Sequence, residues 1–156
     1  MGWWSKDIMG GDAPLDFEDE IFKICNIERI SGNSSKLTKE HFEEHLSEIL
    51  EMLRKQRNNQ YYDRFAIGFQ VLGVLMMSCG ATITDELKTE IKTASETDTW
   101  ANEDPERKEI INGFHKALNV YNGTPITFQS KGLFEVLTER ISSGNKGLIN
   151  KGKGIA

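Results

Sequence analysis

The protein is a chain of 156 residues, of which 38% are hydrophobic and 28% are charged, with a formal net charge of −5 at pH 7. This length and composition predict one globular domain with a single core. The acidic balance argues against DNA or RNA as a ligand, because phosphate binding needs clustered lysine and arginine, and it favours a partner protein with a basic surface.

Two adjacent tryptophans, Trp3 and Trp4, dominate the N-terminal arm, which is predicted to be ordered over residues 1–13. Their apolar area is too large to leave in water, so they are expected either to plug the core or to contact a partner. The arm lacks the basic-then-apolar layout of a secretory signal. Cys25 and Cys79 lie far apart within apolar patterns, as buried thiols of a reducing compartment do, and a cytoplasmic protein is therefore predicted.

The first helix is predicted from Pro14 to Cys25, because proline suits the first turn and Phe17, Ile21 and Ile24 recur at helical spacing. Acidic residues crowd its N-terminal end, where the helix dipole favours negative charge. These acids are Asp12, Asp16, Glu18, Asp19 and Glu20.

The N-terminal opening contains Met1, Gly2, Trp4, Asp12, Leu15, Asp16 and Phe17. With these residues it resembles a family of small bacterial proteins of unknown function, whose members begin Met-Gly-x-Trp and continue with Asn-Asp-x-Ala-x-Asp and then Trp or Phe. The chain departs from the family pattern at Asp7, Met9, Gly11 and Pro14. A looser likeness extends through the central apolar helix to residues 83–87. The resemblance implies a compact, largely helical domain of bacterial or phage origin and supplies no activity.

The next stretch contains a short predicted strand, Ile27–Ile30, and then a second helix from about Thr38 to Gln56. Thr38 is expected to cap this helix. His41 stands three residues later, at the position where Glu or Gln would complete a capping box.

The central helix is predicted from about Tyr61 to Cys79, with Gly80 as its C-cap. Seventeen consecutive residues, 65–81, carry no charge. A helix that is apolar all round must be buried in a core or a bilayer, and a bilayer usually needs about 20 residues. Because Gly68 and Gly73 also dilute the stretch, a buried helix with closely approaching neighbours is predicted, and no membrane span.

A fourth helix is predicted from Thr84 to about Thr97, and Trp100 is assigned to the acidic loop that follows it. Pro105 begins a fifth helix, which ends at Asn122-Gly123. The alternating stretch Thr124–Gln129 is predicted to be a strand that could pair with Ile27–Ile30.

A last helix is predicted over Gly132–Ile141, and the glycine- and lysine-containing residues 142–156 form a flexible tail. The expected fold is mainly α: a single-domain bundle of about six helices, residues 1–141, around the buried central helix. It contains at most a small two-stranded β element.

One motif suggests metal chemistry. His41-Phe42-Glu43-Glu44-His45 resembles the H-x-x-E-H signature of inverted-motif zinc peptidases at these residues alone. The two imidazoles lie one helical turn apart, so they could grip one zinc ion while Glu44 acts as a base. A third protein ligand is missing from the pattern. The alternative is that both histidines simply fill the boundary of the apolar face.

Two classes of function therefore follow. The first is a small acidic protein without a catalytic site, similar to an immunity protein or inhibitor, that needs no cofactor and engages a basic protein partner. Its candidate contact residues are Trp3, Trp4, Asp12, Asp16, Glu18, Asp19 and Glu20. The alternative is a zinc-dependent hydrolase built on His41, Glu44 and His45. Formation of a homo-oligomer is left open.

Overall fold

The computed structural model describes residues 5–27, 37–58 and 63–126. Of these residues 75% are helical, and this part of the chain contains six α-helices and no strand. The helices are α1 (Asp12–Ile24), α2 (Lys39–Arg54), α3 (Arg64–Cys79), α4 (Asp85–Ser95), α5 (Thr99–Glu103) and α6 (Pro105–Val120). A 3₁₀ turn, Lys55–Asn58, continues α2.

The apolar helix α3 is the centre of the fold, as predicted. α1, α2 and α4 all pack against it, and α6 packs against α4 and α5. Almost every residue of α3 from Ala66 to Met77 is buried, including the uncharged but polar Gln70. Gly80 ends the helix in the left-handed conformation, with φ of 79°, as expected for a glycine C-cap. Among the helices in these three ranges, none combines the length and the hydropathy that a transmembrane helix requires.

Two glycines of α3 allow close packing. A Cβ on Gly68 would lie 2.7 Å from Leu53 Cδ2 of α2 and 3.1 Å from Phe17 Cε1 of α1. A Cβ on Gly73 would lie 2.6 Å from Phe114 Cζ of α6. The glycines therefore remove atoms that would separate the helices, which confirms the reason predicted for their presence in a helix interior.

Side chains cap the N-termini of four helices, among them α2, α4 and α6. Thr38 begins α2 and Thr84 begins α4, each accepting a backbone N–H bond as predicted. Asp104 caps α6, where Pro105 occupies the first turn. Helix α1 begins at Asp12, two residues earlier than predicted, so the arm ends at Gly11.

The position of Trp100 was predicted wrongly: it lies in the short helix α5 and not in a loop. Two aspartates allow this helix to form. Asp98 Oδ1 accepts the Ala101 N–H at 3.0 Å. Asp63, from the start of α3, accepts the Thr99 hydroxyl at 2.9 Å. These two bonds give partners to a backbone N–H and a hydroxyl at the start of α5. A helix of only five residues can therefore form between two longer helices.

Several predictions fall wholly or partly outside the described residues. These are the start of the central helix at Tyr61, most of the strands Ile27–Ile30 and Thr124–Gln129, the helix Gly132–Ile141, and the tail 142–156. The described ends of the two strand segments, Ile27 and residues 124–126, are not in strands. Instead, Ile126 donates its N–H to the Met77 carbonyl at 2.9 Å, near the end of α3.

Candidate functional site

The acidic surface predicted on α1 forms in part. Asp12, Asp16 and Glu20 are exposed, and Asp19 is half-buried. Glu18 is only 5% exposed, so its inclusion among the contact residues was wrong. Trp3 and Trp4, the other predicted contacts, lie outside the described residues.

Helical periodicity explains why Glu18 is buried. It lies four residues after Pro14 and three before Ile21, both of which are buried, so all three residues occupy the inner face of α1. The sequence did not distinguish Glu18 from the other acids of α1, because the helix dipole favours any acid near a helix N-terminus. Only the acids on the outer face of the helix can contact a partner.

The neighbouring helix α2 extends the acidic surface. α1 packs against α2, and the acids of α2 are all exposed. These acids are Glu40, Glu43, Glu44, Glu48 and Glu51. Burial raises the pKa of the Cys25 thiol at the end of α1 to about 11, and the charges of Glu48 and Glu44 act in the same direction. We call the exposed acids of α1 and α2 the acidic face.

The predicted metal motif serves other purposes in the structure. His41 Nδ1 accepts the Thr38 N–H at 3.0 Å and so completes the capping box that begins α2. His45 Nδ1 lies 2.9 Å from Glu48 Oε1, on the exposed side of the helix. Within the described ranges, no group of three or more His, Cys, Asp or Glu side chains could hold a metal ion. His41 is therefore a capping residue, and zinc binding stays an untested prediction.

A buried polar network, which the sequence did not predict, joins three parts of the fold. Arg107 of α6, Gln70 of α3 and Ser95 of α4 are fully buried, and Asp98 is 2% exposed. Arg107 Nη2 donates to Asp98 Oδ2 at 2.9 Å and to Gln70 Oε1 at 3.1 Å. Gln70 Nε2 in turn donates to Ser95 Oγ at 3.1 Å and to Asp98 Oδ2 at 3.0 Å. We call these four residues the Arg107 network.

The guanidinium of Arg107 has two further contacts. Its Nη1 donates to the Lys6 carbonyl at 2.8 Å, and the Trp100 ring lies 4.5 Å from its central carbon in a cation–π contact. Burial lowers the pKa of Arg107, while the charge and hydrogen bonds of Asp98 act in the opposite direction. A buried ion pair stabilises the folded state little more than an apolar pair of the same shape would. Removal of one partner, however, leaves an isolated buried charge, which destabilises the fold strongly. The network therefore fixes how α3, α5 and α6 meet.

The Arg107 network exposes no side chain that could react with a substrate. Its carboxylate and guanidinium are bonded to each other and shielded from water, and it contains no histidine or cysteine. One signal in the sequence could have revealed it: Gln70 is a polar side chain in the middle of an uncharged helix. Such a residue needs buried hydrogen-bond partners from elsewhere in the chain.

Comparison of the chain with protein-family models, with curated proteins and with solved structures gives no match. The resemblance of the N-terminal opening to a bacterial family therefore stays a prediction. The function has to be argued from the acidic face and from the packing that supports it.

Proposed function

We propose that this protein is a small acidic binding protein without a catalytic site of its own, which occupies a basic surface on another protein as an immunity protein or inhibitor does. The observation that supports the proposal best is the acidic face. Two helices that pack together both expose mainly carboxylates: four of the five acids of α1 are exposed or half-buried beside one lysine, and all five acids of α2 are exposed beside two basic residues.

Two of the basic residues on these helices, Lys23 and Arg54, have carboxylate neighbours. Lys23 lies 4.0 Å from Glu20, at the limit of an ion pair, and both side chains are more than half exposed. Arg54 donates two hydrogen bonds to the carboxylate of Glu90 in α4, at 2.7 and 2.8 Å. A face of this kind attracts a basic partner over roughly one Debye length, about 10 Å at 0.1 M salt, and raises the association rate.

The core keeps the acidic face in place. Phe17, Ile21 and Phe22 of α1 are at most 1% exposed, and Phe42, Ile49 and Leu53 anchor α2 in the same core. Burying such side chains contributes about 1.5–3 kcal/mol each, which exceeds the few tenths of a kcal/mol that like charges one turn apart cost. The charged surface can therefore be changed without unfolding the protein.

A charge-reversal pair tests the proposal. The variant Asp16→Lys/Glu20→Lys replaces two exposed acids on the outer side of α1, and the control Glu103→Lys/Glu109→Lys makes the same change in charge on α5 and α6. We expect both variants to keep the helical circular dichroism spectrum of the wild type. In affinity capture from a lysate of the source cells at about 0.1 M salt, the first variant should lose the partner and the control should retain it.

Identification of the captured protein by mass spectrometry gives a second criterion: it should be basic, and its association rate with the wild type should fall as salt rises. Equal capture by both variants would show that α1 does not form the contact. If the association rate of the partner did not depend on salt concentration, the electrostatic part of the proposal would be contradicted.

A further inference from the structure

Residues 5–11, which we call the strap, lie against the N-terminal end of α6. Lys6 Nζ is 2.9 Å from Asp104 Oδ2 and 2.6 Å from Glu106 Oε1, and its carbonyl accepts the Arg107 Nη1 bond at 2.8 Å. One residue of the strap thus contacts the helix cap, the first turn and the buried arginine. These contacts join positions about one hundred residues apart in the chain.

The strap is compact and covers the core. The Ser5 N–H donates to the Gly10 carbonyl at 3.2 Å, and the Gly10 N–H donates to the Asp7 carbonyl at 3.0 Å, so the segment folds back on itself. Ile8 is 2% exposed and Asp7 is 7% exposed. A Cβ on Gly10 would lie 3.0 Å from the Ser5 carbonyl oxygen and would overlap Ser5 Oγ, so a side chain here would force Ser5 to move.

The contacts of the strap differ in their exposure to solvent. The Lys6 and Glu106 side chains are 40% and 76% exposed, whereas Arg107 has no exposure. The outer contacts are therefore screened by salt, while the inner one depends on keeping water away from Arg107. The strap therefore joins exposed ion pairs to a buried one.

We propose that the strap is a conformational device: it closes over the Arg107 network, Lys6 latches it, and it opens as a unit. When it opens, Arg107 Nη1 loses the Lys6 carbonyl as an acceptor and water reaches Asp98. Because Asp98 also caps Ala101, opening weakens α5 as well. The strap leads directly into Asp12, so its state also sets the start of the acidic face. The device itself involves no partner, and its tests use the protein alone.

Hydrogen–deuterium exchange measured by mass spectrometry tests the latch with Lys6→Gln. Its control, Lys108→Gln, removes the same charge from an exposed position on α6. We expect Lys6→Gln to increase exchange in residues 5–11 about fivefold, because it removes the exposed ion pairs that hold the strap to α6. Exchange in residues 99–103 should rise with it, and Lys108→Gln should change neither segment.

The same measurement at two salt concentrations separates the latch from general destabilisation. Between about 0.05 M and 1 M sodium chloride, exchange of the strap should increase in the wild type and should stay constant in Lys6→Gln, which has no latch left to screen. Gly10→Ala provides a second route to the open state, since it disturbs the turn without touching Lys6, and it should increase exchange in residues 99–103 too.

Two results would overturn the proposal. If Lys6→Gln left exchange of the strap unchanged, or kept the full salt effect, Lys6 would not be the latch. If either Lys6→Gln or Gly10→Ala increased exchange in the strap while residues 99–103 kept the wild-type rate, the strap would open independently of the Arg107 network.

Discussion

Arg107 holds together more separate parts of the chain than its place on one helix suggests. Its donors reach Lys6 in the strap, Gln70 in α3 and Asp98 before α5, and its guanidinium lies over Trp100. Each acceptor comes from a different segment, so the loss of this one side chain removes several tertiary links at once. Arginine suits the role because its planar group carries five donors and stays charged even when buried.

We predict that Arg107→Met lowers the free energy of unfolding by about 3–5 kcal/mol, because it leaves the Asp98 carboxylate buried without its counter-charge. Urea denaturation measures this loss. The double variant Arg107→Met/Asp98→Asn should lose less than the sum of the two single variants, since the second change removes the isolated charge.

Arg54→Met is the matched control. Arg54 also forms a bidentate contact with a carboxylate, that of Glu90, but its side chain is 50% exposed. Its loss should cost no more than about 1 kcal/mol, as for other surface ion pairs. Equal losses in Arg107→Met and Arg54→Met would contradict the importance assigned to burial.

A second prediction concerns Gly73. Alanine is the better helix former by about 1 kcal/mol, but in Gly73→Ala the added methyl would lie 2.6 Å from Phe114 Cζ and 2.9 Å from Phe114 Cε1. We therefore expect a net loss of about 1–3 kcal/mol in thermal unfolding experiments. Ser78→Ala, at an exposed position on the same helix, should stay within about 0.5 kcal/mol of the wild type. A Gly73→Ala variant more stable than the wild type would show that α6 can move away at little cost.

At the scale of a helix, the start of α2 depends on a reciprocal cap. Thr38 Oγ1 accepts the His41 N–H at 3.4 Å, while His41 Nδ1 accepts the Thr38 N–H at 3.0 Å. We predict that His41→Ala costs about 1 kcal/mol and that His41→Gln keeps most of the stability, because glutamine serves the same purpose in a capping box. Differential scanning calorimetry separates the two variants.

Metal analysis of the same samples tests the zinc alternative. If the cap is the whole role of His41, the wild type and both variants carry no stoichiometric zinc. Zinc bound to the wild type and lost in both variants would instead restore the hydrolase hypothesis, with His41, Glu44 and His45 as its residues.

The packing of α6 against α4 predicts a dependence of stability on pH. Burial lowers the pKa of His115 below its ordinary value of 6.5, with Lys92 acting in the same direction and Glu96 against it. Its Nε2 is buried without a hydrogen-bond partner in the described structure. Since the unfolded chain takes up the proton more readily, stability is fully present above pH 6.5 and is lost as the pH falls toward the lowered pKa of the folded state.

Urea denaturation between pH 7 and 5 measures this contribution. The wild type should lose stability as the pH falls below 6.5, and His115→Gln, which cannot take up the proton, should show a shallower decline. Parallel pH profiles would place the cause of the decline in other groups.

Hydrophobic periodicity and caps were sufficient to predict the long helices α1, α2, α3, α4 and α6. The helix α5 could not be predicted in this way, because five residues are too few to show a period. It is stabilised by Asp63 and Asp98, and Asp63 lies more than thirty residues away in the sequence. Short elements held by tertiary caps leave little local signal.

At the scale of the whole molecule, the sequence predicted the net acidity but only part of its distribution. The acids of α1 were recognised, whereas those of α2 were overlooked beside the histidine motif, and Glu18 was counted among the contact residues although it is buried. The Arg107 network was missed altogether, since polar residues in three separate segments look like surface residues until the fold brings them together. Charge composition is readable from a sequence, but pairing between distant charges is a property of the fold.

The burial of α3 determines how the other parts are arranged, including the acidic face, the Arg107 network and the strap. Native-state hydrogen exchange across the molecule tests it most directly. The amides of residues 67–77 should be the slowest to exchange and should open only with global unfolding, at a free energy equal to that from denaturation. Exchange of these amides at the rate of the exposed outer turns of α1 and α2 would contradict a buried central helix.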